Sequence, residues 1–241
     1  MSEQIVARAE RLRRSYGHGP AEVHALLDVS VQLRAGELVV LRGPSGAGKT
    51  TLLNLLGGLD KADAGEVWVG ELELGAASED ELVELRRHEL GYIFQTFALL
   101  PVLSASENIE LPMRLRGVPI AERRERTREL LATVGLADHA EQRPGELSGG
   151  QQQRLGIARS LANEPRLLIA DEPTGQLDSA NAEAMMSLIA SLVHERGVAV
   201  IVSTHDPRMA EHADRIIDLR DGQLVPPKPG RHLSAPPRAD G

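Results

Sequence analysis

The residues Gly43-Pro44-Ser45-Gly46-Ala47-Gly48-Lys49-Thr50 carry the most specific chemical pattern in the chain. They follow the apolar run Leu38-Val39-Val40-Leu41 and precede the helical Thr51-Leu52-Leu53-Asn54-Leu55-Leu56, so G-x-x-x-x-G-K-[ST] sits between a strand and a helix, as a phosphate-binding loop requires. Its glycines let the backbone wrap an anion, with successive N–H groups and the helix N-terminus converging on it. Lys49 then reaches the β- and γ-phosphates as a point charge, and the Thr50 hydroxyl is placed to ligate Mg2+. Further on, the apolar run Leu167 to Ala170 ends in Asp171-Glu172. From a strand end one carboxylate can hold Mg2+ through its waters and a second can polarise an attacking water. Two adjacent acids also open ordinary polar loops; the upstream phosphate loop favours the catalytic reading. His205 follows the apolar Val198 to Val202 through Ser203-Thr204, and so emerges at the same C-terminal sheet edge.

A third segment, Leu147-Ser148-Gly149-Gly150-Gln151, opens a helix that runs through Gln152, Leu155, Ala158 and Leu161. A Ser and two glycines there make a second anion-binding helix start, and a plain N-cap with flexible glycines fits the same residues. Two phosphate sites in one chain make sense together if the second closes on a nucleotide held by another copy. It would then supply charge across an interface in the manner of an arginine finger.

These groups need rigid elements to hold them. The three continuous apolar runs, separated by helical patterns, imply a mainly parallel sheet covered on both faces, an α/β core. By contrast Val29-Ser30-Val31-Gln32-Leu33 and Val67-Trp68-Val69 alternate, and Ile216 to Leu219, Asp221-Gly222 and Leu224-Val225 read as a hairpin. Together they predict a second, antiparallel sheet built from the N-terminal third and this hairpin. Ser78-x-x-Glu81 is a capping box ahead of Leu82, Leu85 and Leu90, and Pro119 opens a helix with Ile120, Thr127, Leu131 and Val134 on one side until Gly135. Between them Phe94 to Met113 is apolar and broken by proline; Phe97 to Leu103 is either core of a helical subdomain or a groove for short helices of a partner. A helix after Asp178-Ser179 turns Met185, Met186, Ile189, Leu192 and Val193 to the core and ends at Gly197. Arginines from Arg123 to Arg128 alternate with Glu122, Glu125 and Glu129, a solvated, salt-bridged face.

Composition narrows the classes. At 241 residues the chain can bury a full core, and 41% hydrophobic with 26% charged residues is a globular balance. A formal charge of −8 is a poor footprint for nucleic acid, and no nucleic-acid partner is expected. Absence of cysteine excludes disulfides and thiolate zinc sites and fits a reducing compartment. The N-terminus lacks a secretory apolar region, and no run approaches the roughly 18 apolar residues of a membrane span, so the chain is read as soluble by itself. Residues 226–241, with five prolines, are read as a disordered tail.

Over residues 5 to 225 these motifs, in this order, resemble the ATP-binding subunits of ABC transporters. The resemblance implies a domain over 1–225: a P-loop NTPase core with a mainly parallel sheet, an antiparallel β subdomain and an α-helical signature subdomain at about 96–163. It makes Gly43 to Thr50 the Walker A loop, with Thr51 beside it, Gln95 the Q-loop glutamine, Leu147 to Gln151 the signature, and Asp171-Glu172 the end of Walker B. Asp178 becomes the D-loop aspartate, His205 the switch histidine, and Tyr16, in a Gly-rich loop, the aromatic that stacks on adenine. It further implies Mg-ATP bound in a head-to-tail homodimer, Mg2+ surrounded by Thr50, Gln95 and Asp171, Glu172 and His205 as catalytic groups, and an integral membrane permease partner. The chain would be cytoplasmic and peripheral on the inner face of the membrane. The wording Leu55 to Asp60, Gly149 to Arg154 and Asp171 to Gly175 is similar to the branch serving lipoprotein release, macrolide export and related efflux, from which Gln176 departs where Asn is usual. A cell-division type in that branch, which regulates cell-wall hydrolases without transport, shares every catalytic residue. Soluble ABC ATPases of DNA repair insert long coiled coils or zinc modules before the signature; residues 51–146 hold neither sustained heptads nor cysteines.

Overall fold

The computed structural model describes residues 4–226. In chain order the elements are β1 (Ile5–Tyr16), β2 (Val23–Arg34), β3 (Leu38–Arg42), α1 (Lys49–Leu56), β4 (Ala64–Val69), β5 (Leu72–Glu73), α2 (Glu79–His88), β6 (Leu90–Phe94), α3 (Ala105–Leu115), α4 (Ile120–Thr133), α5 (Gly149–Ser160), β7 (Leu167–Asp171), α6 (Ser179–Arg196), β8 (Ala199–Thr204), β9 (Arg215–Arg220) and β10 (Gln223–Val225). Nearly every residue of β3, β7 and β8 is buried, because these strands sit inside a six-stranded sheet of order β10-β9-β3-β8-β7-β6. All its pairings are parallel except that of β10. A four-stranded antiparallel sheet, β2-β1-β4-β5, shares no strand with it.

Alternate strand residues feed two cores. Leu38, Val40, Leu168, Ala170, Val200 and Val202 pack with apolar residues of α3 to α6 on one face. Val39, Leu41, Ile169 and Ile201 pack on the other with the leucines of α1 and the inner face of the antiparallel sheet. α1 is therefore covered by both sheets, which is why Leu52, Leu53, Leu55 and Leu56 are all buried. The helix starts read from sequence hold: Ser78 makes the capping box with Glu81, Asp178 caps α6, and Gly197 ends it in the left-handed region. The methionine-bearing face of α6 is core. Ion pairs such as Arg126 with Glu129 and Glu164, and Arg128 with Glu125, lace α4 as its charge pattern implies.

Several expectations are corrected. The C-terminal hairpin extends the parallel sheet rather than the antiparallel one: β9 pairs with β3 from Val39↔Arg215 to Arg42↔Asp218. Ile216 packs into one core and Ile217 into the other, so this run is a doubly covered strand. Leu90 belongs to no helix; α2 stops at His88 and Leu90 opens β6, paired with Leu167. Ile120 is exposed, and α4 buries Thr127, Leu130 and Leu131. Tyr16 ends β1 instead of lying in a loop. Of the tail 226–241, all but Pro226 lies outside the described residues.

The apolar stretch after β6 resolves into a turn with left-handed Phe97 and Ala98, a loop, and α3, whose Ser104 makes a capping box with Glu107. Fully buried Asn108 pins that loop: its Oδ1 accepts from the Leu100 amide, and its Nδ2 donates to the carbonyls of Leu100, Leu103 and Ser104. Leu99 turns into the core, Leu103 is half-buried, and Leu100 and Val102 stay exposed at 41% and 73%. The core option thus holds for Leu99, while Leu100 and Val102 are left on the surface of the same loop.

Candidate active site

Parallel register sets the site. β3, β8 and β7 are neighbours, and Leu41 pairs with Ser203, which pairs in turn with Asp171, so their C-terminal ends open on one edge. β3 delivers the loop of Gly43, Pro44, Ser45, Gly46, Ala47 and Gly48, which leads into Lys49, Thr50 and Thr51 at the start of α1. Gly48 caps that helix at φ +103°, and a Cβ there would come within 2.3 Å of the Ala25 carbonyl oxygen of β2. Amides of Gly46, Gly48 and Lys49 meet no protein acceptor among the described residues, which leaves donors at a helix N-terminus for an anion. Lys49 is buried to 8% exposure, and its Nζ donates to the carbonyls of Gly43 (2.9 Å) and Pro44 (3.3 Å). A cation held only by loop carbonyls and one carboxylate fits a triphosphate well.

The acids converge on this loop. Thr50 Oγ1 donates to Asp171 Oδ2 at 2.9 Å, so the hydroxyl and carboxylate suited to Mg2+ are adjacent. Glu172 lies 3.5 Å from Lys49 Nζ through Oε1 and 2.8 Å from His205 Nδ1 through Oε2. Its backbone is left-handed at φ +48°, a conformation rare outside glycine, and this turns the side chain toward Lys49 and His205. Ser203, which sequence reasoning did not single out, joins the pair: it donates to Asp171 Oδ1 at 2.5 Å and accepts from the Glu172 amide at 3.0 Å. The only signal for it was its place two residues before His205 at a strand end.

Other expected residues stand apart. Gln95 follows β6 and lies against Gly175, with no hydrogen bond to Thr50 or Asp171. Tyr16 is 41% exposed at the end of β1 and donates its hydroxyl to Asp60. Ser148, Gly149, Gly150 and Gln151 start α5 with a capping box, Ser148 Oγ accepting from the Gln151 amide and Gln151 Oε1 from the Ser148 amide. Gly150 backs closely onto α6, where a Cβ would sit 2.9 Å from Asn181 Oδ1. Asp178 in turn holds Asn181 through its amide and side chain, and those two hydrogen bonds keep the Asp178 carboxyl below the usual range. Residues 148–151 and Asp178 thus form one cluster through Asn181, a contact with no signal in the sequence. Among the described residues no hydrogen bond joins this cluster to the loop 43–50.

Comparison with known proteins bears on this arrangement. A family model described as ABC transporter matches residues 26–175. The chain is 46% identical over 218 residues to the lipoprotein-releasing system ATP-binding protein LolD of Paramagnetospirillum magneticum, covering 90% of this chain and 96% of that one. It is 47% identical over 222 residues to a probable export ATP-binding/permease protein MacB of Pseudomonas entomophila, covering 92% of this chain but only a third of that longer protein (33%). Among solved structures, the dimeric post-hydrolysis state of the ATP-binding cassette MJ0796 bound to ADP and Pi superposes with a TM-score of 0.82 at 41% identity, covering 90% and 96% of the two chains.

The cradle makes a direct demand on Gly48. Gly48→Ala adds a Cβ against the Ala25 carbonyl at a positive φ, which should cost roughly 1–3 kcal/mol of stability in denaturant unfolding. Calorimetry should also show nucleotide affinity at least about tenfold weaker, the equivalent of ~1.4 kcal/mol. Unchanged affinity in the folded variant would contradict the placement of phosphate in this loop.

Proposed function

The chain belongs to the ABC transporter family, and from that premise we propose that it is the ATP-hydrolysing subunit of an export or extraction system of the lipoprotein, peptide or antibiotic class. The observation that carries the proposal is the convergence of Lys49, Thr50, Asp171, Glu172 and His205 at one sheet edge. In this scheme Lys49 exchanges its carbonyl partners for β- and γ-phosphate oxygens, which releases Glu172 to accept a proton from the attacking water. His205, 2.8 Å from Glu172 and largely exposed, steadies the γ-phosphate and that water. Thr50 and Asp171 would hold Mg2+, with Gln95 approaching from the neighbouring turn; the ion supplies neutralisation of phosphate charge.

The reading extends to partners. Among the described residues Ser148 to Gln151 make no hydrogen bond to the chain's own phosphate loop, so they are assigned to the nucleotide of a second copy, as the dimeric state of the MJ0796 cassette supports. Among the described residues no helix is long and apolar enough to cross a membrane. The names of the relatives support a membrane permease partner, and with it a cytoplasmic, membrane-peripheral place for this chain. Exposed Leu100 and Val102, on the loop that Asn108 fixes, are the docking surface offered to it.

Two outcomes follow. Glu172→Gln and His205→Ala should each lower steady-state ATP hydrolysis about 10²- to 10⁴-fold while nucleotide still binds; wild-type-like turnover in either variant would refute its role. Leu100→Glu combined with Val102→Glu should release the chain from membranes of cells that make its permease, with hydrolysis by the purified chain unchanged. Retention at the membrane would place the contact elsewhere.

A further inference from the structure

Tyr16 is held from two sides. The Arg14 guanidinium lies over its ring, 4.7 Å from the centroid, and its hydroxyl donates to Asp60 Oδ2 at 2.7 Å. Arg14 is itself fixed along every edge: Nε and one Nη bind the two oxygens of Asp60 at 3.0 and 2.8 Å, and the other Nη binds Asp63 at 2.8 Å. Asp60 follows α1 and Arg14 lies two residues before Tyr16 on β1, so the network joins the phosphate-loop helix to the strand that bears the ring. Burial works to raise the Asp60 carboxyl, but the Tyr16 hydroxyl, the Lys61 amide and Arg14 together keep it below the usual range, ionised to serve both partners.

The ring is also correctly placed. Tyr16 pairs with Val23 of β2, two residues from Ala25, whose carbonyl backs onto Gly48. Two strand residues span about 7 Å, so the aromatic stands beside the cradle while one of its faces is covered by a cation. We propose that Arg14 and Asp60 are positioning residues that lock Tyr16 as a stacking platform with a single open face, which takes the purine base of the nucleotide. This rests on the reading of Tyr16 as the base-stacking aromatic. A half-exposed tyrosine would otherwise lose side-chain freedom on binding, and a ring already fixed avoids that cost.

The test separates base from phosphate. The full-length chain and its Tyr16→Ala, Arg14→Gln and Asp60→Asn variants are titrated by calorimetry with ADP and, separately, with inorganic tripolyphosphate. Tyr16→Ala should weaken ADP roughly 5- to 150-fold, the span of one lost base–aromatic stack. Arg14→Gln and Asp60→Asn should each weaken it about threefold or more, and tripolyphosphate binding should not change in any variant. A purely electrostatic role would move the two support variants in opposite directions, because one removes a cation and the other an anion, and a purely structural role would weaken both ligands alike. Either pattern overturns the proposal. If Tyr16→Ala leaves ADP affinity intact, the base-stacking reading itself is wrong; if it weakens ADP while the two support variants do not, only the platform is.

Discussion

In-register parallel pairing of three doubly buried strands is the constraint on which the rest of the molecule depends. β3, β8 and β7 can lie side by side in one direction only because their side chains are apolar on both faces and helices cover both. That pairing aligns Leu41 with Ser203 and Ser203 with Asp171, so the phosphate loop, the acid pair and His205 begin at one level. The polar contacts at the edge then follow as local consequences: Thr50 to Asp171, Ser203 to both acids, and Glu172 between Lys49 and His205. A one-residue slip of β7 would turn the strand over and carry Asp171 to the opposite face.

On the proposed function the same architecture supplies one half of a shared site. Among the described residues no hydrogen bond ties the donors around Gly48 to Ser148 to Gln151, which open α5, braced by Asn181 and Asp178. The Ser148 side chain accepts only a 3.3 Å hydrogen bond from Gln151 and remains exposed with Gly149. A helix start with open amides and no anion of its own is chemically useful when a second chain brings one. The electrostatics favour that use, since a nucleotide shared between two helix N-termini and Lys49 is neutralised from both sides.

Much of this was legible because the signals are local. The phosphate loop, the acid pair, His205 and the caps at Ser78 and Asp178 depend on residues within a few positions of one another, and each lies where its spacing implies. What escaped is set across the chain. Gly17 and Gly19 give the end of β1 the look of a loop, and register shifts break the alternation that would carry the strand as far as Tyr16. The final hairpin has the turn of an isolated ribbon, and only the exposed edge of β3 decides which sheet it joins. Ser203 and the Arg14–Asp60 pair act through partners 32 and 46 residues away, and Asn181 backs onto Gly150 of another helix; their residue types alone carry no such information. In the apolar stretch after β6 the pattern does not say which leucines face inward; one asparagine buried beneath the loop fixes it with Leu99 on the core and Leu100 exposed.

On the proposed function one chain holds half of the site and a second copy completes it. The most direct measurement is the mass in solution of Glu172→Gln with Mg-ATP, by light scattering on a sizing column, beside the same variant carrying Ser148→Arg. Glu172→Gln should shift from the 26.0 kDa chain to a dimer of twice that mass, because ATP held only by the closed form stabilises it. The added Ser148→Arg, placing bulk where the partner's γ-phosphate sits, should keep the protein monomeric while it still binds ATP. A Ser148→Arg double variant that dimerises as readily as its parent would remove the signature from the interface and contradict the account.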